Sequence, residues 1–285
     1  MEIILEIQKK YASFNSTQRK IADYISNHID VCCFATLRQL AKDTKTTEVT
    51  IINFSRKLGF TGFADMKMAI QNGVAQRISP NAKIEESISH VKHLSNLDKE
   101  VVDSEIKALN KVYATIHKEQ LLKAASLIKH AKKVYLLAYD YAATVSSVFE
   151  DRFIRLGVDV VNLGGMDMPN VLYRLALSTE DDLLILFSYK PYTQLSINLA
   201  KCLQANYKAK ILCFSDNENT PMHKQADLIF LSPTAHLIFA NSMTAPFSLI
   251  TLLASLYISK YREDYRAFNK KLNELQQVVE KTGFK

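Results

Sequence analysis

Val49, Thr50, Asn53, Arg56 and Lys57 fall on one side when the stretch EVTIINFSRKL is wound as a helix at about 100° per residue. Ile51, Phe54 and Leu58 lie opposite, within about 60° of one another, as a buried edge would. The polar side is suited to reading base edges. Asparagine bonds adenine bidentately, threonine and valine meet a thymine methyl, and arginine and lysine take guanine or a phosphate oxygen. Thr47 stands at the start of this stretch as a candidate cap, Thr46 being the alternative, and Arg19 adds a cation from the earlier stretch STQRKIADYISNH. We take Arg19, Thr47, Val49, Thr50, Asn53, Arg56 and Lys57 as candidate DNA contacts.

A second constellation lies where DLLILFSYKPYTQ leaves a buried-strand run at Ser188-Tyr189-Lys190-Pro191-Tyr192-Thr193. The end of such a strand is where an α/β protein places its ligand, and anion-holding loops there are usually glycine-rich. This corner has no glycine. Pro191 also removes a backbone donor, so an anion would depend on Ser188, Lys190, Tyr192 and Thr193, with His236 and Asn241 from the segment HLIFAN.

The elements that must carry these residues divide the chain. At 285 residues, 48% hydrophobic and 23% charged, it reads as a soluble globular protein with one large or two ordinary domains. The start MEIILEIQKKYASF carries early acids, and nowhere do roughly 18 uncharged apolar residues run together, so we expect a cytoplasmic protein with no membrane partner. Cys32, Cys33, Cys202 and Cys213 show no CxxC spacing; neither disulfide nor zinc is expected. The net charge is +7, and residues 1–77 hold eleven Lys and Arg against seven Asp and Glu, which favours a polyanionic partner for that segment.

Residues 1–77 read as short helices. Ser16 is the expected cap of STQRKIADYISNH, where Ile21, Tyr24, Ile25 and His28 share a face; Leu37, Leu40 and Ala41 form the next stripe, and Gly59 stops the helix that ends at Leu58. Residues 78–104 read as a linker with some helix, in which His90 and His93 are solvated rather than metal-bound. From there KKVYLLAY, VDVVNL, DLLILFS, AKILCFS and DLIFLS alternate with helical periodicity, which predicts a doubly wound parallel sheet over residues 105–261. In residues 262–285 and just before them, Tyr261, Tyr265, Phe268, Leu272, Leu275 and Val279 step by 4, 3, 4, 3, 4 as a helical seam, able to pair with a second subunit or to fold back on its own domain.

Taken together, STQRKIADYI and LRQLAKDTKTTEVTIINFSRKLGFTGFADMK resemble the N-terminal helix-turn-helix of RpiR/MurR-type transcriptional regulators, and RLGVDVVNL, DLLILFSY and SDNENTPMHKQADLIFLSP resemble a SIS (sugar isomerase) domain. The resemblance implies a DNA-binding regulator of carbohydrate metabolism, a homodimer or homotetramer on a two-fold operator, with a sugar-phosphate or amino-sugar-phosphate effector and no cofactor. The chain departs from that pattern in four places. Asn53 stands where these regulators usually have arginine. The loop Ala138-Tyr139-Asp140-Tyr141-Ala142 replaces a glycine-rich one, Lys190-Pro191 replaces the Ser-Gly of Ser-x-Ser-Gly-x-Thr, and His236 to Asn241 replaces Glu-x-x-Phe-Arg-Ser and so loses its acidic and basic anchors. Of the seven glycines only Gly157, Gly164 and Gly165 lie in the sheet region. His223 and His236 have no partner identifiable by spacing, so no catalytic and no metal residue is assigned. Two alternatives stay open: a sugar-phosphate isomerase with a helical appendage, and a DNA-binding protein whose SIS-like domain only dimerises.

Overall fold

A computed structural model describes residues 2–33, 35–78, 84, 87, 96–190, 192, 194–218, 220, 222, 224–239 and 241–281. They form two compact units, one mainly within the first 97 residues and one mainly beyond them.

The first unit is all helical: α1 (Glu2–Lys10), α2 (Ser16–Asn27), α3 (Ile29–Cys32), α4 (Leu37–Asp43), α5 (Glu48–Leu58) and α6 (Phe63–Ile78). Each amphipathic stripe finds the others. Ile3, Ile7, Phe14, Ile21, Ile25, Leu40, Ile51, Phe54, Leu58 and Met66 form one core, and the Phe14 and Phe54 rings stand 5.3 Å apart at its centre. One expectation is corrected: the cap of α2 is Asn15, not Ser16. Asn15 is extended (ψ 173°), and its side chain accepts from the Gln18 N–H at 2.9 Å while the Gln18 side chain accepts from the Asn15 N–H at 3.2 Å. Ser16 is already helical. The reciprocal Asn–Gln box satisfies two orphan amides, where a serine cap at position 16 would satisfy one.

The second unit carries α7 (Leu97–Thr115), α8 (Lys118–His130), β1 (Val134–Leu137), α9 (Ala142–Ile154), β2 (Val160–Asn162), α10 (Met168–Ala176), β3 (Leu183–Ser188), α11 (Gln194–Tyr207), β4 (Lys210–Ser215), β5 (Leu228–Leu231), α12 (Thr244–Lys260) and α13 (Arg262–Lys281). The five apolar runs are the five strands, all parallel, in the order β2-β1-β3-β4-β5. Helices cover both faces. Leu136, Ile185, Phe187 and Phe214 pack on one side against Phe149 and Phe153 of α9 and Leu249 and Leu253 of α12. The alternate residues Leu184, Leu186, Ile211 and Cys213 are buried on the other side, where α11 lies along β3 and β4. That double burial is why β1 and β3 read as continuous apolar runs rather than alternating ones.

Residues 79–83, 85, 86 and 88–95 of the expected linker, with His90 and His93, lie outside the described residues, and α7 runs unbroken across positions 104 and 105. The C-terminal seam divides. Lys129 pairs with Asp264 at 2.6 Å and Phe268 lies against Gly157, whereas Leu272, Leu275, Val278 and Val279 are 38–66% exposed. Among the described residues no helix is long and apolar enough to cross a membrane.

Candidate functional site

The turn between α4 and α5 is built by threonines. The Thr44 hydroxyl donates back to the Leu40 carbonyl at 2.7 Å, and the Thr46 N–H reaches the Ala41 carbonyl at 2.8 Å. Thr47 then caps α5, its hydroxyl oxygen accepting from the Thr50 N–H at 3.2 Å and sharing a second bond with the Thr50 hydroxyl at 2.8 Å. Gly59 ends the helix at φ +106°, as a left-handed cap. Between these caps the two faces separate as the spacing predicts. Ile51 and Phe54 are fully buried, while Val49 is 65% exposed, Asn53 and Arg56 are exposed and Thr50 is half-buried.

The two remaining cations differ. Arg19 is exposed, its guanidinium 5.6 Å from the centre of the Tyr11 ring, and the Tyr11 hydroxyl donates to Asp23 at 2.8 Å. Lys57 is exposed as well, but its ammonium is engaged within the unit: it donates to the Ser13 carbonyl at 2.7 Å and to the Gln18 side chain at 2.9 Å. Lys45 holds the tight turn at φ +54°, a conformation that costs an L-residue roughly 1–2 kcal/mol. Lys45→Gly is therefore expected to raise the stability of this unit by about 1 kcal/mol, read as a higher denaturant midpoint at unchanged slope.

At the carboxyl edge of the sheet, strand order reverses between β1 and β3, which makes the crevice there the ligand position. The β1 side is poor in donors for an anion. Asp140 sits at φ +55°, and the second and third amides of α9 are already used, Ala143 N–H bonding the Asp140 carbonyl at 3.0 Å and Thr144 N–H the Tyr141 carbonyl at 3.1 Å. The Tyr141 hydroxyl accepts a hydrogen bond from the Asn241 amide; burial, and then the charge of Asp216, hold that phenol well above its usual pKa and hence protonated.

On the β3 side, Ser188 is buried, sharing a hydrogen bond with the Thr220 hydroxyl at 3.2 Å and accepting at its carbonyl from the Ser215 hydroxyl at 2.8 Å. The Tyr189 hydroxyl is paired with Ser232 at 2.7 Å. Lys190 is half-buried and Tyr192 buried. Thr193, Pro191, His223 and Ala240 lie outside the described residues.

His236 has a partner that spacing did not show. Its Nε2 lies 3.8 Å from Glu105 Oε1, and Glu105 Oε2 accepts from the Ser242 hydroxyl at 2.7 Å. A carboxylate is thus returned to this corner by α7. Tyr141, Asn241, Ser242, Glu105 and His236 form a polar run joining the β1 loop, the segment after β5 and α7. Among the described residues there is no group of three or more His, Cys, Asp or Glu side chains suited to a metal.

Residues 1–77 match the model of the helix-turn-helix domain of the rpiR family, and residues 127–256 match that of the SIS domain. The chain is 22% identical to an uncharacterised HTH-type transcriptional regulator of Clostridium perfringens, over 98% of this chain and 99% of that protein. It is 18% identical to the HTH-type transcriptional regulator RpiR of Escherichia coli, over 89% of this chain and 84% of the relative. Its fold matches the Vibrio vulnificus NanR protein, solved in complex with ManNAc-6P, with a TM-score of 0.66 at 17% identity and 97% coverage of both chains. Two units with the right internal architecture, each matched in its own place, make the assignment: this chain belongs to the RpiR family of HTH-type transcriptional regulators, with an N-terminal helix-turn-helix domain and a C-terminal SIS domain.

Proposed function

We propose that α5 enters the major groove and reads it through Val49, Thr50 and Asn53, with Thr47, Arg19 and Arg56 toward the phosphates. The observation that carries this is the exposed polar face between the Thr47 cap and the Gly59 stop, set on a fully buried inner edge. Asn53 directs the preference toward adenine at one position of each half-site. A homodimer or homotetramer presents two such helices to a two-fold operator, and the exposed seam Leu272, Leu275 and Val279 supports pairing between copies. In this reading the protein works on DNA in the cytoplasm.

Binding is expected to weaken steeply with salt, and Arg56→Ala to make the plot of log K against log salt shallower by about 0.9, the share of one phosphate contact. A slope unchanged by that substitution would remove Arg56 from the interface.

The SIS domain, in this reading, senses a sugar phosphate or amino-sugar phosphate at the crevice between β1 and β3, the class of ligand with which NanR was solved. We take the phosphate's partners as Ser188, Lys190, Tyr192 and Thr193, with Asn241 and His236 toward the sugar. A panel of hexose and amino-sugar phosphates should contain one that raises the melting temperature progressively with concentration. A flat panel would favour a SIS domain that only joins copies, a reading the occupied α9 amides support. The pair Glu105 and His236 supports an isomerase reading, which requires turnover lost in Glu105→Gln.

A further inference from the structure

The carboxyl end of α5 is tied down from two sides. Lys10, the last residue of α1, donates to the Leu58 carbonyl at 2.9 Å and to the Lys57 carbonyl at 3.3 Å, which are terminal carbonyls with no partner inside the helix. Lys57 reaches the other way. Its ammonium donates to the Ser13 carbonyl and to Gln18 Oε1, and it stands 5.4 Å from the centre of the Phe14 ring. Gln18 is also the acceptor for the Asn15 N–H, so the capping box of α2 and the end of α5 share one side-chain oxygen. The charge of Lys10 is met by Glu6 at 3.6 Å.

The core holds α5 through Ile51, Phe54 and Leu58 and the Thr47 turn fixes its start, while the two lysines add polar ties to α1 and α2 at its last turn, where a small change of angle moves the reading face most. Base readout by Asn53 needs side chains held within about 0.5 Å of their productive positions. We infer that Lys10 and Lys57 are positioning residues for DNA reading: they set the angle of α5 against α1 and α2, and Lys57 neutralises no phosphate although it lies on the outward side of the helix. This rests on the reading of α5 as the groove-entering helix.

The test uses the full chain. Wild-type protein first selects a duplex from a random-sequence pool, and binding to that duplex and to poly(dI-dC) is then measured across a range of about 50–200 mM salt. The set is wild type, Lys10→Met, Lys57→Met and Arg56→Ala. Methionine keeps an apolar stem over Phe14 while removing donors and charge.

Both methionine variants should keep the wild-type salt slope and lose selectivity for the chosen duplex by about tenfold, the equivalent of one charge-assisted hydrogen bond. Arg56→Ala should instead flatten the slope by about 0.9. A Lys57→Met slope as flat as that of Arg56→Ala would overturn the inference, and so would wild-type selectivity in both lysine variants. If Lys57→Met does not fold, Lys57→Arg makes the same distinction. It retains the charge but not the geometry, so a positioning role predicts lost selectivity and a phosphate contact predicts none. Failure of the wild-type protein to select any duplex sinks the α5 reading itself, which separates the two conclusions.

Discussion

Phe54→Ala is expected to abolish DNA binding while leaving the SIS domain folded. The ring is fully buried on the inner edge of α5 and packs against Phe14, so its removal leaves a cavity where α1, α2 and α5 converge. Truncations of this kind cost about 3–5 kcal/mol. A helical unit of this size has a total stability on the order of 5 kcal/mol, so most of it disappears. The second unit shares none of that core. Thermal unfolding should therefore show an early transition lowered by on the order of 15 °C or more, and a later one unmoved. Val49→Ala, at a position 65% exposed, should leave stability within about 0.5 kcal/mol and alter only base preference. Retained operator binding by Phe54→Ala would show that α5 does not depend on this core.

The contrast between Phe54 and Val49 is legible in the sequence, because both follow from helical phase. So are the strands, most plainly β1 and β3, since a strand buried on both faces must be apolar throughout, and so are a threonine cap at 46 or 47 and the Gly59 stop, which are local chemistry. What spacing could not supply is the destination of long side chains and of residues distant in the chain. Phase places the Cβ of Lys57 outward; the rest of the side chain turns back along the unit to Ser13 and Gln18, and only the packing of α5 on α2 decides that. Glu105 and Ser242 are 137 residues apart, so no spacing rule brings a carboxylate to His236. The cap of α2 was misplaced for a different reason. Asn15 and Ser16 are both good caps, and the deciding residue is Gln18, which lies three positions after Asn15 and only two after Ser16.

The same logic governs the C-terminal helix, whose seam was visible as a repeat but whose partner was not. Gly157 ends the segment after α9 at φ +81°, and a Cβ there would lie 2.8 Å from Phe268 Cγ and 3.1 Å from Phe268 Cβ. A rotamer change can swing Phe268 Cγ away but not Cβ, which is fixed to the backbone of α13, so the helix itself must give by a few tenths of an ångström. Gly157→Ala therefore carries two penalties, roughly 1–2 kcal/mol for a left-handed L-residue and roughly 1–3 kcal/mol for overpacking. Gly165 provides the control. It has nearly the same φ, +82°, but nothing within 4 Å of a new Cβ, so Gly165→Ala should carry the first penalty alone. The difference between the two variants in thermal or denaturant unfolding measures the packing of α13 on its own domain, and adding Phe268→Ala should restore part of it. If the exposed half of α13 joins two copies, Gly157→Ala should also loosen the oligomer in sedimentation, because the base of the helix has moved. Equal destabilisation by the two glycine substitutions, with no change in assembly, would mean that α13 is held by the Lys129–Asp264 pair and the tyrosines around Tyr261 rather than by Phe268.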